Sequence, residues 1–416
     1  MARAILALCV AALVCSGSSA AARTSALAAQ EVTITGGGGV QLACGFVLPD
    51  GTAPDGGWPG IVFFPRLGLV HAYEEDGDQT LFAADGFASV SCDERGTGAS
   101  GGSFDLAGPN DAEDAQAIFD WLVAQPNVSP TEIGAYGEDL GGAEVWNAAV
   151  AGVPFKAIVP AYTWSSLGRA LKPTGAVNVG TLSLLTAAGP STAWNTPAGI
   201  AARSYRGRIH SLTVPTLIIQ RRKNLHWDLS QATTAYRLLS GPKRLSVVWS
   251  LPQSEVEAWF SRYLTDGDPV GGGVEIQHEN PNYTITKFLR FPSSRSVIVN
   301  LPGSALQRSV WLTGGPLETF GAGSVTIRYT DASWEQVVAT VSTGRRKGVT
   351  EGAAPVKSSE GVLTIPLLNE AVFMPRRKVT VTLSSHDATF GGATTGTITV
   401  SRVTLRLSVL GRAVSN

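Results

Sequence analysis

Cysteine is scarce in this 416-residue chain: there are four, and Cys9 and Cys15 both lie in the first fifteen positions. Histidine is nearly as rare, with five widely scattered residues. The two types together make no ligand cluster of zinc spacing, so no metal is expected. No cofactor-binding motif is evident either. Charge of one sign is also missing: net charge is −1, and no basic block exceeds the short Arg345-Arg346-Lys347 and Arg376-Arg377-Lys378 runs. Those read as solvated turns, and nucleic acid is excluded as a partner. No apolar run reaches the roughly 20 residues that a membrane span needs. The longest candidate, Ile5 to Cys15, follows Arg3 and precedes small residues around Ala20–Ala22 and Ala26–Ala28. This is the layout of a signal peptide over residues 1–28, and a secreted, extracellular protein is expected. A lipid anchor at Cys15 is the rival, but Leu13-Val14 fits it poorly. Removal of the leader leaves Cys44 and Cys92. They either pair in an oxidising compartment or lie as free thiols in neighbouring strands, and sequence leaves both open.

What is present is a globular composition, 44% hydrophobic with 47 Gly, long enough for about two domains. From about residue 31 to 264, strands and helices alternate. "GIVFFP", "FKAIVP", "VPTLIIQ" and "KRLSVVWS" are short, near-continuous apolar runs, as in strands buried on both faces. "DAEDAQAIFDWLVAQ" and "SEVEAWFSRYL" have helical spacing. The pattern predicts an α/β domain with a mostly parallel, doubly wound sheet. "TDGDPVGGG", residues 265–273, is linker chemistry. Beyond it, residues 274–416 carry short Val-, Thr- and Ile-rich runs between turn residues, which predicts an all-β sandwich or jelly-roll.

One stretch carries chemistry. "TEIGAYGEDLGGAEVW", Thr131 to Trp146, reads as a strand, a sharp glycine-bounded turn and a helix start. That is the layout of a nucleophile elbow, which presents a catalytic Ser at the head of a strand. The central residue here is Asp139.

The α/β segment resembles the X-Pro dipeptidyl-peptidase and cocaine-esterase-like hydrolases. "FAADGFASVSCDERGTGASGGSFD" matches a strand ending in D-x-R-G-x-G-x-S-x-G, through Asp93, Arg95, Gly96, Gly98, Ser100 and Gly102. "IFDWLVAQP" and "IGAYGEDLGGA" continue the match as helix and elbow. The resemblance implies an α/β-hydrolase domain with a cap segment at about 161–210, followed by a galactose-binding-like jelly-roll. It also implies a Ser–His–Asp triad, and here all three slots depart from the pattern. The nucleophile slot holds Asp139. The acid slot, after "VPTLIIQ", holds Asn224. After "KRLSVVWS" comes Leu251-Pro252, and no His lies between His226 and His278. Losing Ser or His alone costs such enzymes on the order of 10⁶ in turnover. Asn in place of the acid costs roughly 10⁴.

The Leu140 N–H is the expected oxyanion donor by position, with a second donor in the Pro65–Leu67 loop. His226 and His71 are weak candidates for a displaced catalytic His. Glu138 and Glu144, flanking the elbow, read as solvated or salt-bridged carboxylates. Asp93 and Arg95 read as structural, with Arg95 placed for a bidentate pair that fixes the glycine-rich loop. Tyr162, Trp164 and Trp194 are candidate pocket walls, with core packing as the alternative. The favoured reading is a secreted pseudo-hydrolase that acts by binding a small-molecule, peptide or acyl ligand. One alternative is an active peptidase, esterase or dehalogenase-like hydrolase using Asp139 as nucleophile. The other is a carbohydrate- or surface-binding protein working through the jelly-roll.

Overall fold

A computed structural model describes residues 29–188, 193–278, 284–312, 317–343, 346–374 and 378–411. The leader and, of the basic runs, Arg345, Arg376 and Arg377 lie outside the described residues. The first half is built on a ten-stranded sheet. Its strands in chain order are β1 (Gln30–Thr35), β2 (Gln41–Val47), β3 (Trp58–Phe64), β4 (Ala88–Cys92) and β5 (Val128–Glu138), then β6 (Ala157–Ala161), β7 (Thr216–Arg221), β8 (Lys243–Val248), β9 (Gly273–Gln277) and β10 (Ile285–Phe288). Their spatial order is β1-β2-β4-β3-β5-β6-β7-β8-β9-β10. Pairing is parallel from β4 to β9 and antiparallel at both ends. The central strands are buried along nearly their whole length, which their apolar runs require.

Helices α1 (His71–Glu74) and α2 (Thr80–Ala84) precede β4, and α3 (Pro109–Val123) precedes β5. Asp111 in the first turn of α3 accepts the Gly108 N–H at 2.9 Å, and Pro109 opens the helix where its missing N–H costs nothing. Helix α4 (Leu140–Ala151) follows β5 directly and stops at Gly152, whose φ of 103° suits glycine. Between β6 and β7 lie α5 (Leu167–Leu171), α6 (Val179–Ala188) and α7 (Pro197–Ala202). Helices α8 (Leu229–Leu238) and α9 (Gln253–Leu264) flank β8.

Cys44 and Cys92 face each other across the antiparallel β2–β4 pair and are joined by a disulfide. Of the two possibilities the sequence left open, this is the paired one.

The boundary between the two halves differs from the sequence expectation. The chain leaves the linker and re-enters the same sheet, adding β9 parallel to β8 and then β10 antiparallel to β9. The all-β region therefore starts at β11 (Ser294–Leu301), not at residue 274. Short Val- and Ile-rich runs look alike whether they pair with a parallel sheet or a sandwich, so composition could not place this border.

Strands β12 (Gln307–Trp311), β13 (Leu317–Glu318), β14 (Ser324–Thr330), β15 (Gln336–Thr343), β16 (Arg346–Pro355), β17 (Gly361–Pro366), β18 (Phe373–Met374), β19 (Lys378–Ser384) and β20 (Thr399–Leu410) complete the molecule. Two four-stranded antiparallel sheets, β11-β20-β14-β17 and β12-β19-β15-β16, share one apolar core that includes Val325, Val337, Val381 and Val403. No helix among the described residues is long and apolar enough to cross a membrane.

Candidate active site at the strand-to-helix elbow

Strand β5 delivers Asp139 into the turn with φ 55° and ψ −112°. A non-glycine residue held at such positive φ is strained, and such strain concentrates at functional sites. The glycines around it permit the turn. A Cβ on Gly137 would lie 2.4 Å from the carbonyl carbon of Gly141, and one on Gly141 would lie 2.0 Å from the Phe64 carbonyl oxygen. A Cβ on Gly142 would meet the Ala161 carbonyl at 2.7 Å. The Asp139 N–H donates to that same Ala161 carbonyl at 3.0 Å, tying the elbow to β6.

The Asp139 side chain is already engaged. The Trp227 indole Nε1–H donates to Oδ1 at 2.6 Å. The adjoining Leu140 N–H, the oxyanion donor expected from sequence, favours the charged form of the same carboxyl. Burial raises the Asp139 pKa above the usual carboxylate range; the Trp227 bond opposes this, the Glu138 charge adds to it, and Arg66 and the Leu140 N–H oppose it.

Asn224 lies in the loop after β7 but does no acid's work. Its Oδ1 accepts the N–H groups of His226 at 3.0 Å and Trp227 at 3.1 Å, an Asx-type turn that aims the indole at the elbow. His226 bonds through Nδ1 to Thr181 Oγ1 at 3.1 Å, and burial lowers its pKa, which keeps it neutral. At the third slot, the chain runs from the end of β8 through Trp249 to Pro252 and straight into α9. Leu251 there packs against the cluster containing Tyr162, Val248 and Trp259.

A cleft of ≈ 250 Å³ opens over the elbow, lined among others by Arg66, Asp139, Tyr162, Leu184, Arg221 and His226. Tyr162, at φ 50°, carries the Arg221 guanidinium 4.5 Å above its ring. Glu138 accepts from Tyr136 Oη at 3.0 Å and has Arg66 at 3.6 Å.

Two proposed pocket walls are corrected. Trp164 is fully buried, donates to the Arg203 carbonyl and packs on Trp227 with ring centroids 4.7 Å apart. Trp194 is 2% exposed and belongs to the main core. Both are core residues, because the segment between β6 and β7 folds inward at these positions. Glu138 is buried and is the salt-bridged carboxylate expected, through Arg66. Glu144 is corrected: it is buried rather than solvated, neither of its oxygens has a hydrogen-bond donor among the described residues, and its neighbour is the Asp111 carboxyl. Burial first, then Asp111, holds the Glu144 pKa well above the carboxylate range.

His71 is not at the elbow cleft. Its Nδ1 meets Asp93 Oδ1 at 2.7 Å and its Nε2 meets Glu31 at 3.3 Å. Asp93 also accepts the Ala99 N–H at 2.7 Å, and a Cβ on Gly98 would lie 1.9 Å from Asp93 Oδ2. Arg95 grips Asp114 of α3 through Nε and Nη2, both at 2.7 Å. The sequence reading missed Trp227 and Arg221. The one available signal was an aromatic residue three positions past the acid slot.

Residues 37–238 match the family model described as X-Pro dipeptidyl-peptidase (S15 family). These residues make up just under half of the chain, and over them the α/β half is similar to that family. Among solved structures, a CocE/NonD family hydrolase from Staphylococcus aureus superposes with a TM-score of 0.68 at 12% identity, covering 92% of this chain and 96% of that one. An aminopeptidase from a marine sediment Thaumarchaeota archaeon gives 0.67 at 12% identity over 94% and 98%. An α-amino acid ester hydrolase gives 0.66 at 14% identity over 92% and 96%. At these identities the likeness is one of fold, and it extends over both halves of this chain. No curated protein matches.

Proposed function

We propose that this member of a hydrolase family is a pseudo-hydrolase that binds a small ligand at the elbow without turning it over. The observation that carries the reading is the state of Asp139. Its buried carboxyl is fixed by the Trp227 indole N–H and stands beside the Leu140 N–H that would serve an oxyanion. A carboxylate in that position also repels a developing oxyanion. Asn224 and Leu251 support the same reading, since each has a structural task where acid and base would stand. The protein is further proposed to be secreted, and the Cys44–Cys92 disulfide suits an oxidising destination.

An active hydrolase with Asp139 as nucleophile is the second reading. It is favoured only by the presence of His226 in the same cleft. It needs a His that activates water against an aspartyl ester, and the His226 Nδ1 is bonded to Thr181. The test is to assay the mature protein on X-Pro arylamides, short acyl esters and haloalkanes. No turnover above background is expected. Turnover that Asp139→Ala abolishes would sink the pseudo-hydrolase reading.

A further inference from the structure

The cleft above the elbow holds two guanidinium groups in different circumstances. Arg66 is engaged with Glu138 and faces the Tyr73 ring. Arg221 is exposed at the lip. Its recorded contact among the described residues is the Tyr162 ring beneath it, with no carboxylate partner. Stacking fixes the plane of a guanidinium and leaves its N–H edges free, which is the geometry that takes a carboxylate bidentately. Tyr162 is itself fixed: 3% exposed and held at φ 50°, with its N–H bonded to the Ile219 carbonyl at 2.8 Å. Arg221 is therefore a pre-oriented cationic anchor, and it would lose little freedom on pairing.

The rest of the cleft decides what else the ligand carries. Leu184 is an exposed apolar side chain on one wall. At the floor lie Asp139 and the neutral His226. The Asp139 carboxyl takes the Trp227 indole N–H, and an ionised carboxylate has room for further donors.

We infer that the elbow cleft selects a small carboxylate whose anionic group pairs with Arg221, whose apolar body lies along Leu184, and whose far end offers a hydrogen-bond donor to Asp139. This rests on the binding reading above and names its ligand class.

Three probes of one shape test it by calorimetry. 4-Hydroxyphenylacetate carries the anion, its methyl ester is neutral, and tyramine carries a cation. The carboxylate is expected to bind at least about tenfold more tightly than the other two. Arg221→Gln should remove that preference, while Arg290→Gln, on a remote exposed residue, should leave it intact. An unchanged melting temperature would show that the Arg221 variant is folded. Equal binding of all three probes, tighter binding of tyramine, no binding, or a preference that survives Arg221→Gln would each overturn the inference. Release of methanol from the ester is followed in the same samples. It would overturn the pseudo-hydrolase reading instead, so the two failures are distinguishable.

Discussion

At the scale of the residue, Asp139 keeps a nucleophile's backbone and has lost a nucleophile's surroundings. Restoring the side chains one slot at a time should not restore chemistry. Asp139→Ser combined with Asn224→Asp is expected to stay at background on acyl esters, because Leu251 leaves no base at the third slot. Recovered esterase activity in that variant would show that a His reaches the elbow after all. Glu144 makes a separate case. Its carboxyl binds a proton more tightly in the native fold than in the unfolded chain, since burial and Asp111 hold its pKa above the ordinary range. Protonation therefore favours the fold at low pH, and that contribution is lost as pH rises through the folded-state pKa. Glu144→Gln should flatten this dependence. We expect it to melt roughly 2–4 °C higher than the parent at pH 8, a gain of about 1 kcal/mol, and at the same temperature below pH 4. Melting curves across that range check the sign.

At the scale of the element, the β7–α8 loop organises the site. Asn224 turns it, Asp228 caps α8 by accepting the Ser230 N–H at 3.1 Å, and Trp227 between them reaches Asp139. Asn224→Ala should cost about 1 kcal/mol and free the indole, since the Oδ1 that holds two N–H groups is gone. A shift in tryptophan emission and a lowered melting temperature are the readouts; unchanged emission would mean the loop holds its shape without the turn. Glycine spacing made the elbow legible in the sequence, because a Cβ at Gly137 or Gly141 has nowhere to go. The bidentate pairing of Arg95 was legible because its partner, Asp114, lies in the next helix, whereas the His71 partner of Asp93, 22 residues earlier, was not. Trp227 was not legible, since its partner is 88 residues away and only the closed sheet brings them together. Strands β9 and β10 were misplaced because a strand's period records which faces are buried, not which sheet it joins.

At the scale of the whole molecule, the second half of the chain holds that loop in place. The Asn224 N–H donates to Glu370 at 3.1 Å, the Leu229 N–H to the Asn369 carbonyl at 2.9 Å, and the Ala371 N–H to the Arg222 carbonyl at 2.8 Å. The Asn369 N–H returns to Asp228 at 3.0 Å. Arg222, fully buried, pairs with Glu318 of β13, which also binds His278. The two halves should therefore unfold in one calorimetric transition, and two resolved transitions would show that this seam is weak. The disulfide acts on the same global scale. It closes a loop across a sequence separation of 48, so Cys44→Ser with Cys92→Ser should cost roughly 3–4 kcal/mol. Chemical denaturation of the double variant against the parent checks this.

That seam also bears on how such a chain can change over generations. The loop after β7 is tied to the second half of the chain by contacts 141 and 146 residues downstream. If the pseudo-hydrolase proposal holds, that bracing would let the cleft drift toward new ligands without the fold loosening.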